Sequence, residues 1–249
     1  MALVFSRPST RTRVSFETGV YELGGHPLVL REGELQLARD ESARDTALVL
    51  SRMVHAVGVR TGPHETVVEL AEHAQIPVIN MLTHEHHPCQ ALADLLTLLE
   101  RFRRLEGLKL AYVGDGNNMA RSLSIACRIA GVEFAISTPP ELALPELESQ
   151  PLYEAVDGAH AVYTDVWVSM GDEHEAEHKR SLLAPYRLDE RLLSQARDDA
   201  IALHCLPAHP GEEISEGALY GERSAVWDQA ENRLHAQKAL LELLITPAV

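Results

Sequence analysis

The chain has 249 residues, 45% of them hydrophobic, and carries 22 Lys+Arg against 37 Asp+Glu for a formal net charge of −15. That hydrophobic share excludes intrinsic disorder, and the acidic balance excludes a nucleic-acid binder, which needs a basic face. An anionic substrate then requires a local positive pocket inside an acidic protein.

In chain order, residues 2–5 predict a buried strand. Residues 12–23 predict a helix with Phe16, Val20 and Leu23 on one face, ended by Gly24-Gly25. Residues 40–57 predict a further helix. Gly58-Val59 then leads to Arg60 at a strand end. Residues 66–74 predict a short helix, 77–80 a short strand, and 91–104 a strong helix with the apolar stripe Leu92, Leu95, Leu96 and Leu99. After Glu106-Gly107 the rhythm restarts: strand 108–113, helix 118–130, strand 133–137, strand-like 160–168, strand 200–203, and a last helix over 231–244. Asp172-Glu173-His174-Glu175 reads as a solvated loop. This alternation predicts an α/β fold of two domains, each a parallel sheet with helices on both faces. Cys89, Cys127 and Cys205 are odd in number and widely spaced, which fits reduced thiols in a cytoplasmic protein better than a disulfide framework. No signal-peptide pattern opens the sequence, and its apolar runs are too short to span a bilayer.

Five motifs carry candidate chemistry. Ser9-Thr10-Arg11-Thr12-Arg13 lies where the first strand turns into the first helix. The opening N–H groups of a helix have no internal partner, and the dipole adds positive charge there. Hydroxyl donors and guanidinium forks complete an anion site suited to phosphate. His87-Pro88-Cys89-Gln90 precedes the long helix, where an imidazole and an amide can reach a small polar ligand; the alternative is a simple helix cap. His84 to His87 with Cys89 also has the composition of a metal cluster. Adjacent histidines rarely converge on one ion, however, and no second Cys/His pair has ligand spacing, so no metal is expected.

Gly114-Asp115-Gly116-Asn117-Asn118 has the outline of a dinucleotide loop. Met119 stands in place of the third glycine and no acidic residue ends the next strand, so an amino-acid carboxylate fits better than a nicotinamide cofactor. Asp165-Val166-Trp167-Val168-Ser169-Met170-Gly171 ends a strand, where an Asp and a Ser can hold an ammonium group; the alternative is an ordinary strand end with one capping Asp. In His204-Cys205-Leu206-Pro207, Cys205 can be a nucleophile, a binding thiol or a core residue.

The motifs at residues 9–13, 87–90, 165–171 and 204–207 occur in the order found in ornithine carbamoyltransferases, and the chain resembles that family over nearly its whole length. The first two resemble aspartate carbamoyltransferase as well. The resemblance implies transfer of a carbamoyl group from carbamoyl phosphate to the side-chain amine of L-ornithine, giving L-citrulline and phosphate, without a metal or organic cofactor. It implies a carbamoyl phosphate domain over 1–104 joined by a returning C-terminal helix over 229–249, an ornithine domain over 105–228, and a homotrimer or trimer-based oligomer.

Carried over by position, Ser9, Thr10, Arg11 and Thr12 would hold the phosphate. Arg60 and His87 would polarise the carbamoyl oxygen. Gln90, with Cys205 and Leu206, would hold the carbamoyl amide. Arg233 would add a further contact, and Gln36 matches a position extended into a neighbouring subunit's site. Asn118 would bind the ornithine carboxylate, and Asp165, Ser169 and Met170 its α-amino end. Cys205 would handle binding and protons without a covalent intermediate. Two departures stand out. Family members carry a helical segment before the first strand, and here the sequence starts at the strand, so either the start lies upstream or Leu240, Leu243 and Leu244 lack a partner. The stretch 138–159 is short and proline-rich, poor helix material. Two alternatives are transfer to another amine, such as putrescine or acetylornithine, and a non-catalytic carbamoyl phosphate-binding relative.

Overall fold

The computed structural model describes residues 1–35, 41–168 and 173–245. They form two parallel sheets and group into two compact units, residues 1–93 with 232–249, and residues 94–231. In the first unit the strands are β1 (Ala2–Phe5), β2 (Leu28–Arg31), β3 (Val57–Arg60) and β4 (Val78–Leu82), in the order β2-β1-β3-β4. In the second they are β5 (Lys109–Val113), β6 (Glu133–Ser137), β7 (Ala161–Thr164) and β8 (Ile201–His204), in the order β6-β5-β7-β8. Every pairing is parallel.

Side chains alternate across a strand, and β1 shows both faces at work. Leu3 and Phe5 pack with Phe16 and Val20 of α1 (Thr10–Glu22) and with Leu241 of α10 (Val226–Ile245). Ala2 and Val4 pack with Ala43 and Ala47 of α2 (Ala43–Leu50) and with Val67 and Leu70 of α3 (His64–His73). Helices therefore cover both faces, as a parallel sheet requires. The remaining helices are α4 (Pro88–Phe102), α5 (Asn118–Ala130), α6 (Leu152–Val156), α7 (Ala176–Leu183), α8 (Glu190–Leu193) and α9 (Glu216–Tyr220).

Several expectations are corrected. β2 was not foreseen: four residues at a sheet edge leave little pattern to read. Among the described residues of 40–57, the helix is only α2. Ser51 Oγ donates to Ala47 O and accepts from Gln75 N, which fixes the chain where that helix stops. The strand expected over 160–168 ends at Thr164, because Asp165 Oδ1 takes the Val166 N–H at 2.8 Å out of the ladder. On α4 the leucines Leu92 and Leu99 are exposed, while Gln90, Ala93, Asp94, Thr97 and Leu98 are buried. The expected stripe is thus only partly inward, with Leu95 and Leu96 half-buried. Polar groups are tolerated inside because they are bonded: Asp94 Oδ1 accepts from Gln229 Nε2 at 2.7 Å. The stretch 138–159 does hold helical turns, a 3-10 turn at Pro140–Leu142 and α6, which starts just after Pro151. Residues Glu173–Glu175 of the expected acidic loop form a 3-10 turn, and Asp172 lies outside the described residues. Of the C-terminal leucines, Leu240 packs into the core while Leu243 and Leu244 are exposed.

Candidate functional site

Both strand orders contain a switch point, where chain direction across the sheet reverses: between β1 and β3 in one unit, and between β5 and β7 in the other. In open α/β sheets, ligands bind outside the carboxyl ends of the strands flanking that point. The carboxyl ends of β1 and β3 lead into Ser9–Thr12 and end on Arg60, and those of β5 and β7 lead into Gly114–Asn118 and Asp165. The chain thus places three of its motifs, and Arg60, at the two positions where the topology makes a crevice.

In the first unit, Ser9 is the N-cap of α1, and its Oγ accepts from Thr12 N. The first turn of α1 holds no acidic residue, so its positive end faces no carboxylate of its own. Thr12, 1% exposed, is the hub. Its Oγ1 accepts from Arg60 Nη1 at 3.3 Å and from Arg233 Nη2 at 3.0 Å. Arg233 Nη1 donates to Gln90 Oε1 at 2.7 Å. A hydroxyl has two acceptor lone pairs and one proton. Both lone pairs of Thr12 are engaged by guanidinium groups, so its proton is left to donate. Two buried arginines, a buried amide and a hydroxyl donor are therefore fixed together beside a helix N-terminus.

His87 is buried in the same unit. Burial first, then the positive charges of Arg233, Arg60 and Arg11, hold its imidazole well below the usual histidine range. It is neutral at neutral pH, with one N–H to donate. The same three charges show that a net-acidic protein carries a locally positive pocket. Cys89 belongs to the core: burial pushes its thiol up to about 11, and Sγ donates to Asn80 O.

In the second unit, Asn117 caps α5, its Oδ1 accepting from Met119 N and Ala120 N, and Tyr112 Oη donates to that same oxygen. Its Nδ2 donates to Asp165 Oδ2 at 2.8 Å. Asp165 Oδ1 accepts from Val166 N at 2.8 Å and from Cys205 Sγ at 2.9 Å. Asn118, half-buried, opens α5 beside this group. Gly114 sits at φ +130, and a Cβ at Gly116 would lie 2.2 Å from Leu142 O, so the loop can turn only with glycine at both places. Burial and then the Asp165 charge raise the Cys205 thiol well above its ordinary value. It is a neutral thiol whose proton goes to Asp165. Sulfur lone pairs can accept a hydrogen bond, and the raised thiol favours its protonated form.

His204 is fully engaged in holding backbone. Its Nδ1 accepts from Leu206 N at 2.8 Å, and its Nε2 lies 3.2 Å from Glu213 Oε1. Nδ1 is the acceptor, so Nε2 carries the proton and donates it to Glu213. Leu206 adopts a left-handed φ of +59, which the His204 bond helps to hold. Burial opposes ionisation of Glu213, yet bonds from His204 and from His209 N–H keep its carboxyl below the ordinary range.

The structure thus gathers Ser9, Thr10, Arg11, Thr12, Arg60, His87, Gln90 and Arg233 in one unit, and Asn118, Asp165, Cys205 and Leu206 in the other. Gln36, Ser169 and Met170 lie outside the described residues. Sequence reasoning missed Asn117 as the residue that orients Asp165, although an Asn at a strand-to-helix turn is a capping signal. It also missed the buried pair Lys179 Nζ–Asp115 Oδ2 at 3.1 Å, which ties α7 to the glycine loop. No local pattern marks that pair. The first set joins positive charge, a hydroxyl donor and a helix N-terminus in one unit. The second joins an oriented carboxylate, an amide and a thiol.

Comparison with known proteins matches both halves of the chain. The family model described as the aspartate/ornithine carbamoyltransferase carbamoyl-P binding domain matches residues 1–100, and that described as the Asp/Orn binding domain matches residues 106–244. An ornithine carbamoyltransferase of Anoxybacillus flavithermus is 50% identical over 98% of this chain and 83% of the relative. One of Methanocorpusculum labreanum is 49% identical over 99% of this chain and 85% of the relative. Among solved structures, the ornithine carbamoyltransferase of Pyrococcus furiosus has a TM-score of 0.95 at 44% identity, covering 100% of this chain and 85% of that one. An N-acetyl-L-ornithine transcarbamylase has a TM-score of 0.85 at 29% identity, covering 98% and 88%.

Proposed function

Because this chain belongs to the aspartate/ornithine carbamoyltransferase family, we propose that it transfers the carbamoyl group of carbamoyl phosphate to the side-chain amine of L-ornithine, releasing L-citrulline and phosphate. The observation that carries the reading is the Thr12 hydroxyl, saturated as an acceptor by Arg60 and Arg233 and so committed to donating to an anion. Relatives named ornithine carbamoyltransferase, matched over almost the whole chain, support the choice of acceptor.

The N-terminus of α1, with Ser9, Thr10, Arg11 and Thr12, holds the phosphate. Arg60 and neutral His87 donate to the carbamoyl oxygen as negative charge develops on it, an oxyanion-type stabilisation. Gln90 accepts from the carbamoyl amide through the oxygen that Arg233 orients. Asp165 takes the α-ammonium of ornithine with Ser169 and Met170, and Asn118 its carboxylate. The ornithine amine attacks the carbamoyl carbon, a C–N bond forms, the C–O bond to phosphate breaks with its electron pair on the departing phosphate, and the amine's surplus proton passes to that phosphate. A lysine-like amine with pKa about 10.4 is about 3 units above neutrality, so using its neutral form costs about 4 kcal/mol. The arginine-rich surroundings of the carbonyl disfavour the ammonium form and offset part of that cost. Cys205, a neutral thiol, assists by accepting a hydrogen bond.

We extend the reading to a cytoplasmic, trimer-based enzyme of arginine biosynthesis that needs no cofactor, with Gln36 serving a neighbouring subunit. The exposed apolar residues Leu48, Val49 and Met53 support assembly. Citrulline formation assayed with ornithine, putrescine and acetylornithine tests the function. Product from ornithine alone is expected. Product from another amine reassigns the acceptor, and carbamoyl phosphate binding without turnover leaves a binding protein only.

A further inference from the structure

One cluster of ligand-type side chains lies outside both sets above. His64 is the first residue of α3, and Glu85 and His86 lie on the loop between β4 and α4. One ligand atom from each falls within 4.8 Å of the other two. The His64 and His86 rings meet edge to face with centroids 5.2 Å apart. The loop is braced for this arrangement. Thr83 N donates to His86 O at 2.8 Å, and Thr83 Oγ1 accepts from His86 N at 3.1 Å. His64 Nδ1 lies 3.2 Å from the same Thr83 hydroxyl, the kind of outer contact that orients a ligating imidazole. His84 N donates to Gly62 O at 2.8 Å, and a Cβ at Gly62 would lie 2.8 Å from the His84 ring. That ring therefore packs flat on the chain just before His64, and glycine at 62 is what lets it.

The geometry points to a site for a divalent transition cation of the zinc class, held by His64, Glu85 and His86. Two imidazoles and a carboxylate are a borderline N2O donor set, which favours such an ion over calcium or magnesium. Three protein ligands leave a coordination position open to water. Bonds of about 2.1 Å put tetrahedral ligand atoms about 3.4 Å apart, so side-chain rotations of the order of 1 Å close the present arrangement on an ion. The Glu85 carboxylate offsets the positive end of α3, which otherwise opposes a cation. His86 directly precedes His87, so an occupied site restrains the loop that presents His87. That consequence for catalysis rests on the proposed function, whereas ion binding is tested without it.

A second ligand-type group, Asp165, His204 and Cys205, must be separated from the first. The experiment uses the untagged full chain and Co2+ as probe, in the unsubstituted protein and in Cys205→Ser. Equilibrium titration and visible absorption are recorded for each, together with Glu85→Gln and His86→Asn made in the Cys205→Ser background. The expected result is one Co2+ per chain in Cys205→Ser, with d–d bands and no thiolate charge transfer. Either further substitution should weaken it at least tenfold, while urea unfolding midpoints stay within error of Cys205→Ser. Failure of Cys205→Ser to bind Co2+, or affinity unmoved by Glu85→Gln and His86→Asn, overturns the site. Citrulline assays on the same proteins report separately on the proposed function.

Discussion

Thr12→Val offers a nearly isosteric test of the phosphate site. The substitution keeps the shape of a buried side chain and removes only the hydroxyl. Two guanidinium donors, Arg60 Nη1 and Arg233 Nη2, lose their acceptor at 3.3 and 3.0 Å. Hydrogen bonds to charged groups contribute about 1.5–3 kcal/mol each. The longer bond stands at the low end, so the pair is worth about 3–4.5 kcal/mol of stability. At roughly 2–4 °C per kcal/mol for a chain of this size, the melting temperature should drop by about 6–18 °C. The lost donor to the dianion costs a further ~1.5–3 kcal/mol of binding, about 10- to 150-fold in the KM for carbamoyl phosphate. The assay is citrulline formation at saturating ornithine with carbamoyl phosphate varied, beside urea unfolding. Thr12→Ser, which keeps the hydroxyl, should recover most of both losses. A KM within twofold of the unsubstituted protein, or no rescue by serine, would refute the argument that this proton points at the ligand.

Three further outcomes follow from buried groups. His87 has a folded pKa below its unfolded value, so the unfolded chain binds more protons in that window; stability should fall as pH drops below about 6.5, by at most about 1.4 kcal/mol per pH unit from this group. Urea unfolding between pH 7.5 and 5.5 should show a shallower dependence in His87→Gln, and an unchanged slope contradicts the assignment. Cys205 should react with iodoacetamide at pH 8 far more slowly than in the urea-unfolded chain. Asp165→Asn should speed that reaction by removing a charge that raises the thiol; equal rates in the two folded proteins sink the idea. Lys179→Met leaves the buried Asp115 carboxylate without its ion pair and should cost about 3–5 kcal/mol, with Asp115→Asn in the same chain restoring part; a double variant no better than the single would show the pair is not coupled.

Much of this architecture was legible because particular residues carry both a local and a global signal. Asn118 to Ala130 was read to the residue, since Asn117 caps it and Gly131 ends it at φ +70. Glu133 to Ser137 follows from the turn at that glycine. The site motifs were legible for a related reason: Ser9 to Thr12, Arg60, Asp165 and Cys205 all fall at or just beyond the ends of strands that apolar runs announce. What stayed hidden depends on tertiary partners. The outward face of α4 carries Leu92 and Leu99 while Asp94 and Thr97 go inside, and Gln229, which bonds Asp94, lies 135 residues away. Thr12 was read as a phosphate ligand, but its role as the joint between Arg60 and Arg233 spans 48 and 221 residues of sequence.

His204 shows how a residue can stand inside a reactive-looking motif and do no proton chemistry. With Nδ1 on Leu206 N and Nε2 on Glu213, neither nitrogen is left for a substrate. Its ring is a spacer of fixed width between a carboxylate and a left-handed stretch of main chain. Asparagine is too short to span that width, and glutamine lacks the rigidity to define it. The shape of the turn after β8 therefore depends on this ring and not on what binds beside it. Position 204 thus fixes a distance, while its neighbour Cys205 turns its thiol to Asp165.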